Sequence, residues 1–278
     1  MHDPSCGRVC DMTETAPQPQ TEFSRLLKDW RMRRHVSQLS LGLGVDVSAR
    51  HISFLESGRS RPSRTMIERL CDGLDIPLGD RNALFSAAGF ANAYRRSRLD
   101  DDTLAPARAA LSRIMNKHAP FPALMFDRHW NALDANATGA LLLGFEPGTS
   151  ETPNMIDALL GADGLRDRIL NWDEVAQAMV VRLRAESRHA GGDHVLDEMA
   201  DQIETSFSRH ALPDMPATPF MALKFDLGTG TPLSLFTTVA EISSPYDVTL
   251  TDVRLELFFP ADAASRLVLE AMAPQSPS

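Results

Sequence analysis

"SQLSLGLGVDVSARHISFLESGRSRPS", residues 37–63, decides how the first third of the chain folds. Ser37 and Ser48 each precede a short run with apolar residues at helical spacing, the mark of a serine N-cap. The spacing predicts one helix over 38–44 and another after Ser48, with Ile52 and Leu55 as its buried stripe and Gly58 as its stop. Few residues are left between the two, so the helices must cross closely. Gly42 supplies a small residue at that crossing, and Asp46 stands at the turn, where a side chain tolerant of left-handed backbone is required.

Helical spacing continues on both sides. Phe23, Leu26, Leu27 and Trp30 predict a helix from Glu22, closed by Arg31, Arg33 and Arg34 where cations suit the helix dipole. Pro62 and Ser63 introduce a fourth helix carrying Met66, Ile67, Leu70 and Leu74, and "IPLGDRNALFSAAGF" adds a fifth. The expectation is an N-terminal all-α domain of five helices over 21–92, after a disordered leader over 1–20. Charge separates this domain from the rest. Residues 21–98 hold 14 Lys and Arg against 8 Asp and Glu, whereas the remaining residues hold 14 against 29, within a formal net charge of −9. A basic unit on an acidic body is the footprint of a small polyanion-binding domain carried by a larger one.

Beyond a polar linker at 93–105 the pattern changes. A helix is expected over 106–118, two short strands at 123–126 and 129–133, a small-residue helix from Asn136, and longer helices over 172–188 and 193–209. "FMALKFDL", "LSLFTTVAEI" and "DVTLTDVRLELFFP" read as three antiparallel strands, closed by a helix at 261–271 and a tail at 273–278. This second domain, 106–272, is therefore expected to be α+β. Its candidate lining for an apolar pocket is Phe126, Trp130, Leu142, Met155, Leu159, Met179, Leu183, Phe220, Phe236 and Phe258, residues that ordinary core packing would explain equally well. Arg166, Arg168 and Arg182 are candidate anchors for an acidic ligand.

Counting from Gln38, the small, turn and apolar positions fall at five, nine, fifteen and eighteen. Gly42, Asp46, Ile52 and Leu55 fill them, the spacing of a helix-turn-helix whose second helix enters the major groove. Gln38 and Ser48, at helix starts, are placed for phosphate contacts. Arg50 and His51 project from the first turn of the second helix, with Arg50 the candidate for bidentate contact to guanine. Arg59, Arg61 and Arg64 are placed to hold the backbone of double-stranded DNA.

Ser37, Gln38, Leu41, Val47, Ser48, Ile52, Ser53, Glu56 and Gly58 resemble the Xre/Cro-type helix-turn-helix pattern, with Gly42 and Asp46 standing where that pattern usually has Ala and Gly. The stretch from Arg25 to Tyr94 resembles one subgroup, the MmyB-like transcription regulators. "ALMFDRHWNALDANATGALLLG", "DGLRDRILNWDEVAQAMVVRLRAES" and "DVTLTDVRLELFFPADAA" resemble that subgroup's ligand-binding domain. The resemblance spans about residues 22–270. It implies a PAS-like C-terminal fold, a sensor role and a fatty-acyl ligand. Palindromic reading, usual for the motif, implies a homodimer.

Other classes have little support. No apolar run is long enough for a membrane helix and no signal peptide is visible, so a cytoplasmic protein is expected. Cys6 and Cys10 lack further zinc ligands nearby, and Cys71 falls in a helical core pattern. No metal or cofactor is expected. No metalloprotease His-Glu-x-x-His frame or nucleophile elbow occurs, and "GTGT" at 228–231 reads as a turn. Three readings remain: a ligand-responsive regulator, a regulator whose second domain only dimerises or binds a partner protein, and an enzyme with a regulatory helical domain.

Overall fold

Four side-chain oxygens start four of the first five helices. In a computed structural model, Thr21, Ser37, Ser48 and Ser63 accept from the backbone N–H groups of Ser24, Ser40, His51 and Met66. They open α1 (Glu22–Arg33), α2 (Gln38–Gly44), α3 (Ala49–Glu56) and α4 (Arg64–Gly73), followed by α5 (Leu78–Ala87). The structure describes residues 21–98, 101–144, 153–161, 164–207, 221–228, 230–242, 244 and 246–272. The leader, with Cys6 and Cys10, and Phe220 lie outside the described residues. The chain divides into two compact units, one comprising residues up to 76 with 81–92, the other 77–80 with those from 93 onward.

In the first unit Phe23, Leu27, Trp30, Leu41, Ile52, Leu55, Ile67 and Leu70 are buried. The α2–α3 turn follows the expected economy. Asp46 takes φ +55, and Gly58 closes α3 at φ +76. A Cβ on Gly42 would lie 2.7 Å from the Val47 carbonyl oxygen, so the crossing leaves no room for a side chain.

In the second unit, α6 (Ala105–His118) leads into β1 (Ala123–Phe126), β2 (Ala132–Ala135), α7 (Ala137–Leu143), α8 (Met155–Leu160), α9 (Trp172–His189) and α10 (His194–Glu204). Then come β3 (Leu223–Phe225), β4 (Leu233–Glu241), α11 (Val248–Thr251), β5 (Arg254–Pro260) and α12 (Ala263–Met272). The three expected C-terminal strands and the β1–β2 pair form one antiparallel sheet in the order β2-β1-β5-β4-β3. Strand alternation gives the sheet two faces. Ala123, Met125 and Leu255 pack with Leu111 and Met115 of α6, while Leu124, Phe126, Leu233, Leu235 and Phe258 join the core made with α7–α10. Asn136 caps α7 with every amide group used: its oxygen accepts from Ala123 and Gly139 N–H, and its nitrogen donates to the Met115 and Phe121 carbonyls.

Several expectations need correction. The second strand runs 132–135 rather than 129–133, because Asp127 Oδ1 accepts from the N–H groups of His129 and Asn131 and turns the chain there. The segment 247–260 is not all strand. Asp247 caps the single turn α11 before β5 begins. Helix α10 ends at Glu204, five residues early. Residues 95–97, expected in a linker, are fastened to the second unit: Arg95 exchanges backbone bonds with Tyr246 and Val248, and Ser97 Oγ donates to Asp247 at 2.6 Å.

Candidate DNA-reading helix and apolar cavity

The first site is built on α3. Its last residue, Glu56, is only 4% exposed and accepts from Arg31 Nε at 2.5 Å, from Arg31 Nη2 at 2.9 Å and from Gln38 Nε2 at 2.7 Å. One carboxylate thus ties α1 and the start of α2 to the end of α3, and the bonds from Glu56 raise the Arg31 pKa above its ordinary value. Gln38, expected to face a phosphate, has its amide nitrogen turned inward to Glu56. Ser48 keeps its place at the helix start while its oxygen accepts from His51 N–H at 3.1 Å.

Arg50 is exposed on the first turn of α3, its guanidinium carbon 5.1 Å from the Phe54 ring centroid. That stacking supports the side chain along the helix, where a planar fork is pre-organised for paired hydrogen bonds. His51 is half-buried beside it. Arg59, Arg61 and Arg64 are exposed at or beyond the end of α3. Arg64 lies 3.6 Å from Glu68 and over the Phe85 ring.

The second site lies on the inner face of the sheet. A cavity of about 250 Å³ is bordered by Phe126, Trp130, Leu142, Met155, Leu159, Met179, Phe236 and Phe258 of the expected set. Leu183, one helical turn beyond Met179, is instead fully enclosed in the core and does not border it. Phe236 borders the cavity, but its ring stacks on its cross-strand partner Phe259 at 5.5 Å, toward His118. Leu165, Ile169, Val175, Phe225 and Leu235 complete much of the wall. Their apolar spacing marks them as core in the sequence. Nothing in that spacing says which core residues leave space between them.

Arg182 borders the cavity, whereas Arg166 and Arg168, in a 3-10 turn at 165–168, do not. Arg182 donates to Glu256 at 2.5 Å and to Glu186 at 2.9 Å, and Arg254 donates to the same Glu186 oxygen at 2.6 Å. Trp130, at φ +63, has both guanidinium groups near its ring, each 4.5 Å from the centroid, and its Nε1 donates to Glu186. Beside it Arg128 and His129 both bond Asp193, the N-cap of α10. Burial would raise the Asp193 pKa, but these two bonds outweigh it and hold the carboxyl below its ordinary value.

Among the described residues no group of His, Cys, Asp and Glu could hold a metal ion, and no helix is long and apolar enough to cross a membrane.

A helix-turn-helix followed by an α+β domain with its own apolar cavity defines a transcription regulator with a ligand-binding domain. A family model described as the MmyB-like transcription regulator ligand binding domain matches residues 107–272, and one described as a helix-turn-helix domain matches residues 22–84. The chain belongs to the MmyB-like transcription regulator family. Among solved structures it is similar to the PAS domain of BvgS from Bordetella pertussis, at 10% identity and a TM-score of 0.28, covering 59% of this chain and 94% of that one. It is also similar to an RNA-binding Light-Oxygen-Voltage receptor, at 10% identity and a TM-score of 0.31, covering 91% of this chain and 62% of that one. No curated protein matches.

Proposed function

We propose that the protein is a cytoplasmic, homodimeric regulator that selects operator sequences with α3 and changes its DNA affinity when an apolar ligand enters the cavity of the second domain. The observation that carries this reading is the cavity itself, about 250 Å³ lined mainly by apolar side chains in a chain that also presents an exposed arginine on the first turn of a helix-turn-helix. Arg50 and His51 read base edges. Ser48 holds the start of α3 at a phosphate, Gln38 braces the start of α2 through Glu56, and Arg59, Arg61 and Arg64 supply sequence-independent affinity. A ligand alters DNA binding only through unequal affinity for two states of the protein. A fatty-acyl chain is the ligand that family membership favours.

The reading is tested with the full chain on DNA fragments flanking its own gene, at two salt concentrations, before and after apolar extraction. The expected result is preference for one fragment, with an affinity that changes on extraction. Equal affinity for all fragments overturns operator selection. An affinity indifferent to both extraction and re-addition of lipid overturns the sensor role and leaves the second domain as a dimerisation module.

A further inference from the structure

The polar end of the cavity is a closed set of charges. Arg182 and Arg254 supply two cations and Glu186 and Glu256 two carboxylates, joined by the 2.5, 2.6 and 2.9 Å bonds described above. The side chain of Glu256 is 4% exposed and that of Arg254 9%. A ligand carboxylate brought to Arg182 would lie against two existing carboxylates and leave the set net negative beside the buried Glu256 side chain. Like charges in such a place disfavour ionisation and binding alike.

Among the described residues, the polar side chains that border the cavity, besides the committed indole of Trp130, are Arg182, Thr237 and Glu256. Arg182 has no charge left to neutralise. Glu256 is an acceptor with more lone-pair sites than its bond to Arg182 uses, and the Thr237 hydroxyl also accepts. An apolar molecule ending in a hydroxyl matches that wall. Room follows from comparison: a dry cavity of about 150 Å³ holds benzene, so about 250 Å³ has room for about ten non-hydrogen atoms.

We propose that this cavity selects a neutral, hydroxyl-bearing apolar molecule of about ten non-hydrogen atoms over the free acid of the same chain length, with the Glu256 carboxylate as the selecting group. The inference rests on the reading of the cavity as a ligand site, and it narrows the fatty-acyl class by excluding its ionised members.

The test is calorimetric titration of the full chain at pH 8 with 1-octanol, methyl octanoate and octanoate. The expected order is octanol tightest, the ester between, and octanoate at least tenfold weaker than octanol. In Glu256→Gln, with an unchanged melting temperature, octanoate gains about tenfold and the gap closes. Octanoate binding as tightly as octanol in the wild type overturns the proposal, and an ester equal to octanol overturns the hydroxyl preference. These wild-type arms decide even if the variant does not fold. A wild type that binds none of the three refutes the ligand-site reading, and this inference with it.

Discussion

Glu56 and Arg31 form a two-point bridge, with Arg31 Nε and Nη2 2.5 and 2.9 Å from the two Glu56 oxygens across 25 residues of sequence. Glu56 also receives Gln38, so one side chain orients the whole helix-turn-helix. Removing one partner of a buried bridge strands the other. Glu56→Ala is expected to destabilise the first unit by about 3 kcal/mol, measured by chemical denaturation. A loss within 0.5 kcal/mol, the usual range for a surface change, would mean that the bridge is ornamental.

Arg50 is exposed and stacked on Phe54, which leaves its fork available for a base pair. Arg50→Ala is expected to reduce discrimination between operator and unrelated DNA by about 1–3 kcal/mol, while salt-sensitive nonspecific binding persists. Replacing Arg61 by Ala should weaken binding to all sequences alike and lower the salt slope by about one. Titrations at several salt concentrations separate the two behaviours, and a uniform loss in Arg50→Ala would move that residue to the backbone.

Gly42 lies where a Cβ would come within 2.7 Å of a backbone oxygen. Gly42→Val is expected to cost about 1–3 kcal/mol by forcing α2 away from α3. Gly42→Ala places the same Cβ against the Val47 carbonyl without the further methyl groups of valine, and its helix propensity gain of about 1 kcal/mol offsets part of that cost. Melting temperatures of the two variants should rank Val well below Ala.

Met179 borders the cavity from α9 and is only partly buried. Met179→Trp should fill space without unfolding the domain, abolishing uptake of octanol while leaving DNA selection intact. Retained octanol binding, read by calorimetry, would place the ligand elsewhere.

Burial depresses the pKa of His118 more than its bond to the Phe258 carbonyl restores it. Stability from this group is therefore complete above the unfolded value of about 6.5 and is lost as pH falls through the lower folded value. The melting temperature of His118→Gln, whose amide also donates to a carbonyl, should fall less between pH 7.5 and 5 than that of the wild type. Parallel curves would exclude His118 as a source of acid sensitivity.

The sequence by itself determined the first unit and the apolar class of the residues from which the second unit builds its core. Capping serines, the glycine at the crossing, the turn aspartate and the apolar stripe at Ile52 and Leu55 act within a few residues of one another, so local spacing specifies them. The apolar class of Phe126, Met155 and Phe258 was legible for the same reason. Only the tertiary structure decided which of them face space. Met179 and Leu183 share one helical stripe, yet one borders the cavity and the other is sealed in the core, because sheet and helices separate over one and close over the other. Likewise, Gln38 at a helix start looked free for phosphate until Glu56, 18 residues away, claimed its amide. Trp130 read as strand until Asp127 turned the chain and two distant arginines reached its ring. The charge balance beside the cavity joins residues 182, 186, 254 and 256. Partners that far apart in sequence are chosen by the packing of α9 on the sheet, which no local periodicity encodes.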